Sequence, residues 1–147
     1  GPRSGPTFLA PVVGRIAAAL ARVTGADSVT WRQDVPAGVT VAIDEGDLLE
    51  LVGALLENAA KWTRSEVRIV AVAEGSSVVV LVEDDGPGIA PQDRRAALTR
   101  GGRLDATRSG TGLGLAIADD IARAYGGDLR LEDAEAGGLR VRLRLPA

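Results

Sequence analysis

Five consecutive apolar residues, Val78 to Val82, run straight into Glu83-Asp84-Asp85-Gly86-Pro87-Gly88-Ile89, and no other junction constrains the chain as much. The apolar run reads as a buried strand. A carboxylate pair stands where that strand ends, and Gly86 and Gly88 follow at once, so the backbone must turn sharply or admit a close neighbour. A buried acid beside such a turn can read the hydrogen-bonding edge of a small ligand. Taken alone, the same residues also describe a polar turn after a core strand, since Asp-Gly and Pro-Gly are common turn pairs.

The rest of the chain supplies a mixed set of elements. Residues 8 to 24 carry Leu9, Val12, Val13, Ile16, Leu20 and Val23 at helical spacing, with Gly25 as the stop. Ser28 to Gln33 and Val39 to Ile43 are strand candidates, and Pro36-Ala37-Gly38 between them predicts a hairpin. Asp44 suits the N-cap of a helix over 45–62, whose buried stripe is Leu48, Val52, Leu55 and Ala59. Strands at 66–73 and 77–84 flank the turn Glu74-Gly75-Ser76, and their apolar runs predict covered faces or a central place in the sheet. Pro91 to Leu98 reads as a short helix with proline at its start. Gly110-Thr111-Gly112-Leu113-Gly114-Leu115 opens an amphipathic helix through Tyr125, stopped by Gly126-Gly127. Strands at 129–133 and 139–145 close the chain. In the last, Leu139, Val141, Leu143 and Leu145 alternate with Arg140, Arg142 and Arg144, one face for the core and one for water.

Composition excludes several chemistries. The chain has no histidine and no cysteine, which removes the usual general base, the usual zinc ligands, thiolate catalysis and any disulfide framework. The formal charge of -3 argues against nucleic acid as partner, and the arginine row reads as a solvated sheet face. No apolar run approaches the roughly 18 residues of a membrane span. The 147 residues suggest one domain, and Gly1 to Pro6 read as a tag-cleavage scar and linker. Among 17 basic residues Lys61 is the sole lysine, and Asn58 is the sole asparagine. They stand three residues apart on one helix face, beside Glu57 and Trp62.

A glycine-rich loop opening a helix offers free backbone N–H groups and the positive end of a helix dipole, which suits phosphate. The loop matches neither the common phosphate loop nor a dinucleotide fingerprint. Arg100, Arg103 and Arg108, just before it, can supply charge to a polyphosphate. Asn58 can offer an oxygen to Mg²⁺, and Asp84 can read a base amine at the other end of the same ligand. Together the parts describe an ATP site.

Leu56-Glu57-Asn58-Ala59-Ala60-Lys61-Trp62 resembles the N box of sensor histidine kinases, Asp84-Asp85-Gly86-Pro87-Gly88-Ile89 their first glycine box, and Gly110-Thr111-Gly112-Leu113-Gly114-Leu115 their second. Arg100-Gly101-Gly102-Arg103-Leu104-Asp105 with Arg108 resembles the lid of the PhoQ-type subgroup. The resemblance covers residues 8 to 147 and implies an α+β fold: a two-layer Bergerat-type sandwich, with helices on one face of a mixed, mostly antiparallel sheet. It implies ATP and Mg²⁺ as ligands. Asp84 would bond the adenine amino group, Asn58 would hold Mg²⁺, and Lys61, Arg103 and Arg108 would bind phosphates. Trp62 would stack near the base, and Gly86, Gly88, Ile89, Gly110, Leu113, Gly112 and Gly114 would shape the pocket and the lid hinge. Glu57 would be a weak candidate for activating water.

The resemblance also implies a division of labour. Residues 7–147 would form the ATP-binding catalytic domain, with 7–24 as the connection from an upstream dimerisation and phosphoacceptor domain. That domain's histidine would take the phosphoryl group and pass it to a response regulator. The domain would be cytoplasmic and monomeric by itself, within a homodimeric, membrane-bound parent. The chain departs from the family where Ala54 replaces a second asparagine, where Thr111 replaces a glutamine, and in lacking the phenylalanine box, since Phe8 is its only phenylalanine. Ala54 also leaves no acid where gyrase-like ATPases activate water, so hydrolysis by the domain alone is expected to be very slow. Two other readings of the same fold are an anti-sigma-factor-type serine kinase and a non-catalytic nucleotide-responsive module.

Overall fold

The computed structural model describes residues 6–24, 29–99 and 114–147. Its elements are β1 (Thr7–Phe8), α1 (Leu9–Thr24), β2 (Thr30–Asp34), β3 (Thr40–Val41), α2 (Glu45–Trp62), β4 (Glu66–Glu74), β5 (Ser77–Asp84), a 3-10 turn (Pro91–Asp93) leading into α3 (Arg94–Ala97), then α4 (Gly114–Ala124), β6 (Asp128–Asp133) and β7 (Leu139–Pro146). Five strands form one sheet in the order β2-β4-β5-β7-β6, with β2 parallel to β4 and every other pair antiparallel.

The helices cover one face only. Val67, Ile69, Val80, Val82, Val141 and Leu143 point into it and are buried, as are Leu48, Leu51, Leu55 and Leu56 of α2. With so few aromatics, close packing of Leu, Val, Ile and Ala supplies the core. The other face is open. Arg68 is exposed and Val72 keeps 47% of its surface, so β4 and β5 are central strands rather than strands covered on both sides.

The arginines of β7 lie on that open face and are paired across the sheet. Arg140 donates to Glu83 at 2.7 Å, Arg142 meets Glu132 at 3.0 Å and Arg144 meets Asp128 at 2.9 Å. Their charge is thus neutralised by acids of β5 and β6, in keeping with a solvated sheet face.

One expectation fails. The segments before and after Pro36-Ala37-Gly38 do not form a hairpin: β2 pairs with β4, and β3 pairs with β1 through Thr7↔Val41 and Phe8↔Thr40. The reason is topological. A parallel neighbour needs a crossover of a dozen or more residues, usually a helix, and α2 stands between β2 and β4 to supply it. The turn is real, since the Val39 amide donates to the Pro36 carbonyl at 3.2 Å, but it redirects the chain rather than folding β2 back on itself.

Helix α2 forms where its pattern predicts. Asp44 caps it by accepting from the Gly46 amide at 3.1 Å, and Glu45 and Asp47 sit in the first turn, where the dipole favours acids. Helix α4 lies antiparallel along it. The Tyr125 hydroxyl, just past the end of α4, donates to Asp47 at the start of α2. At the other end, a Cβ on Gly114 would meet the Ala54 carbonyl at 3.4 Å. The N-terminus of α4 is therefore directed at the half of α2 that carries Asn58 and Lys61.

Candidate functional site

The site is built on the end of β5. Val67 is the partner of Asp84 across β4 and faces the helices, so Asp84 faces them too and is 4% exposed. Its Oδ1 accepts from the Gly86 amide at 2.8 Å and the Leu139 amide at 3.4 Å. Its Oδ2 makes no hydrogen bond to a described residue. Burial pushes the Asp84 carboxyl up from the ordinary value, against the lowering effect of those two amides.

Two glycines make this arrangement possible. A Cβ on Gly86 would lie 2.2 Å from the Trp62 carbonyl oxygen, so the turn after Asp84 is pressed against the end of α2. A Cβ on Gly138 would lie 2.2 Å from the Asp84 carbonyl and 2.6 Å from its Oδ1. The tip of the β6–β7 hairpin thus closes over the acid from the other side. Gly88 stands at φ +73°, in the left-handed region. Ile89 is held by Arg94, whose Nε donates to the Ile89 carbonyl at 2.9 Å while Nη2 donates to Asp133 at 2.6 Å.

Helix α2 brings its last turn to the same place. Asn58 and Lys61 are half-buried, and the Lys61 ammonium lies 5.8 Å from the centre of the Trp62 ring. The Asn58 amide makes no hydrogen bond to a described residue. Glu57 points out and is exposed. Asp84, Gly86 and Trp62 thus adjoin, with Lys61 beside Trp62 and Asn58 one turn before it on α2, while α4 begins against Ala54. Arg103, Arg108, Gly110, Gly112 and Leu113 lie outside the described residues.

Two participants were not singled out from the sequence. Gly138 could have been, because a Gly-Gly pair between two strands marks a tight tip or a close approach. Asp85 could not, because its partners lie about twenty residues back. Its Oδ1 accepts from the Arg64 amide at 2.8 Å and the Ser65 amide at 2.9 Å, and lies 2.7 Å from the Thr63 hydroxyl. Desolvation pushes this carboxyl up, but the bonds from the Ser65 hydroxyl and amide, from Thr63 and from Arg64 outweigh it and hold it far below the usual carboxylate range.

The two acids respond oppositely to pH. Asp85 has a folded pKa below its unfolded value, so its stabilisation is complete above about pH 4 and is lost as pH falls through the folded pKa. Asp85→Asn is expected to flatten the acid limb of a plot of Tm against pH; an unchanged limb would remove Asp85 as a source of acid sensitivity.

An open cleft of about 370 Å³ on the helix-free face runs between Arg32, Arg68, Glu83 and Glu135 behind the same turn. Its walls carry charges of both signs, and Asn58 is not among them. Asp84 and Asp85 also line it, so it adjoins the site at the end of β5. No group of three or more His, Cys, Asp or Glu suited to a metal ion occurs among the described residues. A lone amide oxygen still fits Mg²⁺, which keeps several waters and takes one or two protein ligands beside substrate phosphates.

Comparison with known proteins decides the family. Residues 43–147 match the model of the histidine kinase-, DNA gyrase B- and HSP90-like ATPases. The chain belongs to this family. It is 56% identical over 119 residues to the sensor protein kinase CarS of Pseudomonas aeruginosa, covering 80% of this chain and 26% of CarS. It is 40% identical over 136 residues to the two-component sensor PhoQ of the same organism, covering 92% of this chain and 30% of PhoQ. The chain therefore spans under a third of each of these relatives. Among solved structures, the mycobacterial sensor histidine kinase MprB superposes with a TM-score of 0.87 at 28% identity, over 98% of this chain and 97% of that one. Within the ATPase family, then, the chain is an ATP-binding catalytic domain of the sensor histidine kinase type, with the α+β fold that its three boxes imply and the PhoQ-type likeness that Arg100 to Arg108 imply.

Proposed function

We propose that this domain binds ATP with the base at Asp84 and the phosphates between Asn58, Lys61 and the start of α4, and presents the γ-phosphate to a histidine on a separate domain. The observation that carries this reading is the Asp84 carboxylate, buried at a strand end, with one oxygen held by two backbone amides and the other without a hydrogen-bond partner among the described residues. A carboxylate is an acceptor only. It welcomes the exocyclic amine of adenine and repels the carbonyl that guanine carries there. Trp62 flanks the base, and Gly88 and Ile89 complete the pocket wall.

At the other end, Lys61 neutralises phosphate charge, with Arg103 and Arg108 as further phosphate ligands beside Gly110, Gly112, Leu113 and Gly114. The N-terminus of α4 adds its dipole. Mg²⁺, when bound at the Asn58 amide oxygen, would offset the charge that builds on the transferring group. The domain's own residues supply positioning and charge neutralisation, which is most of phosphoryl-transfer catalysis. Glu57 faces outward and Ala54 bears no acid, so neither aims a water at the γ-phosphate. Residues 7–147 act as this domain, residues 7–24 lead from the phosphoacceptor domain, and a response regulator is the final acceptor. The parent is a homodimeric membrane-bound sensor, the domain itself a cytoplasmic monomer. No helix among the described residues is long and apolar enough to cross a membrane.

The test is calorimetry with a non-hydrolysable ATP analogue, with and without Mg²⁺. The wild-type chain is expected to bind roughly 10- to 150-fold more tightly with the metal, and Asn58→Ala to lose that difference, as a charge-assisted contact of about 1.5–3 kcal/mol would. Binding by Asn58→Ala that still responds fully to Mg²⁺ would place the metal elsewhere. A histidine-bearing helical hairpin is expected to accept phosphate in trans, and a serine-bearing partner is not.

A further inference from the structure

We propose that Asp85 is a positioning residue of the nucleotide site: it ties the segment leaving α2 to the turn that carries Asp84, and so sets the spacing between the phosphate end and the base end. This rests on the placement of ATP given above.

Asp85 joins two stretches that no strand pairing joins. The β4–β5 ladder runs from Glu74↔Ser77 to Val67↔Asp84 and ends there. Beyond it, the course of Asp85-Gly86 relative to Thr63–Ser65 depends on side chains. The Asp85 carboxylate supplies nearly all of that connection. Oδ1 accepts from the Arg64 and Ser65 amides and lies 3.4 Å from the Glu66 amide. The Thr63 hydroxyl shares its one proton between Oδ1 at 2.7 Å and the Glu66 carbonyl at 2.6 Å. Oδ2 accepts from the Ser65 hydroxyl.

The clamped residues adjoin the site on both sides. Thr63 caps α2, its amide donating to the Ala59 carbonyl at 2.9 Å, and it follows Trp62 directly. Gly86 follows Asp85 directly and rests on the Trp62 carbonyl. Releasing Asp85 would let the α2 end and the Asp84 turn part while leaving both elements folded. ATP must reach Asp84 and Asn58 at once, so a looser spacing weakens binding even where neither contact residue is altered.

Asparagine can do most of the same work. Its amide oxygen can take the position of Oδ1 with its cluster of donors, and its NH₂ can donate to the Ser65 hydroxyl oxygen. Alanine keeps none of these bonds.

The experiment compares binding of an ATP analogue with Mg²⁺ and thermal stability in the wild-type chain, Asp85→Ala, Asp85→Asn, Thr63→Val and Val78→Ala. Val78 lies six residues before Asp84 on β5 and controls for lost stability alone. Asp85→Ala is expected to weaken binding about tenfold or more, Thr63→Val about threefold, and Asp85→Asn less than about threefold, the scale of one to a few hydrogen bonds. Val78→Ala is expected to lower Tm and leave affinity unchanged. Wild-type affinity in Asp85→Ala would overturn the inference, as would Asp85→Asn binding as poorly as alanine, or Val78→Ala losing affinity in step with its Tm. If Asp85→Ala does not fold, Thr63→Val decides: wild-type affinity there overturns the inference. A wild-type chain that binds no nucleotide would overturn the site itself. One that binds through Asp84 while Asp85→Ala binds equally well would remove only the positioning role.

Discussion

Asp84→Asn is expected to lose nearly all affinity for ATP and, at neutral pH, to unfold at a higher temperature than the wild-type chain. The loss follows from the two amides already at the carboxylate. The Gly86 and Leu139 N–H groups need an acceptor where Oδ1 stands, so the asparagine must put its oxygen there and turn its NH₂ toward the ligand. Two donors, the side-chain NH₂ and the adenine amine, then face each other. Losing a hydrogen bond to a charged group and leaving a buried donor unpaired costs about 3–5 kcal/mol together, which is a loss of roughly 150- to 5,000-fold.

The gain in stability has a separate cause. Burial raises the Asp84 pKa in the folded chain. An acid with a raised folded pKa holds its proton more tightly when folded, so native stability falls as pH rises from the unfolded pKa through the folded one. As pH rises above the unfolded value the wild-type chain bears that cost, and the neutral asparagine does not. The two Tm curves are expected to converge below about pH 4, where Asp84 is protonated in both states. Calorimetric affinity and Tm against pH check both halves. An Asp84→Asn chain that binds ATP normally would show that the base lies elsewhere.

Gly86→Ala has the second largest effect expected. The added methyl would stand 2.2 Å from the Trp62 carbonyl oxygen, 2.9 Å from its carbon and 3.1 Å from Asp84 Oδ1. Two of these are backbone atoms at the end of α2, which cannot turn aside as a side chain can. Relief requires the Asp84 turn and the α2 end to separate. Overpacking of this kind costs about 1–3 kcal/mol, a fall in Tm of roughly 2–12 °C for a chain of this size. Affinity is expected to drop by about tenfold or more, because the same movement withdraws the Gly86 amide from Asp84. Gly38→Ala is the control: nothing lies within 4 Å of a Cβ there, and its Tm and affinity should match the wild-type values. Equal behaviour of the two variants would mean that the contact at Trp62 is not tight in solution.

What was legible in the sequence was what local pattern determines. Helix α2 begins and ends where Asp44 and the leucine stripe place it, and β5 ends at Asp84 as its apolar run predicts. That the Asp84 turn rests on the end of the helix bearing Asn58 and Lys61 was legible only through the resemblance of three separated boxes, since no local pattern says that residues 62 and 86 meet. The parallel course of β2 was hidden because a turn at Pro36-Ala37-Gly38 is compatible with both a hairpin and a crossover. The choice depends on which strand edge is free, and that is a property of the whole sheet. The clamp at Asp85 was hidden for a similar reason: its donors are mostly backbone amides, which no residue identity advertises.

The crossover at α2 bears on the order in which the chain can assemble. Strands β4, β5, β7 and β6 are joined by antiparallel pairing, and two of those joins are hairpins that can zip locally. Strand β2 gains its partner only after β3 and α2 have been laid down between them, so its loop closure costs more entropy than either hairpin's. By the same measure the two hairpins come first, then β2 on β4 across 36 residues (Thr30↔Glu66), then β7 on β5 across 57 or more (Glu83↔Arg140), and the helix that presents Asn58 is set in the middle step.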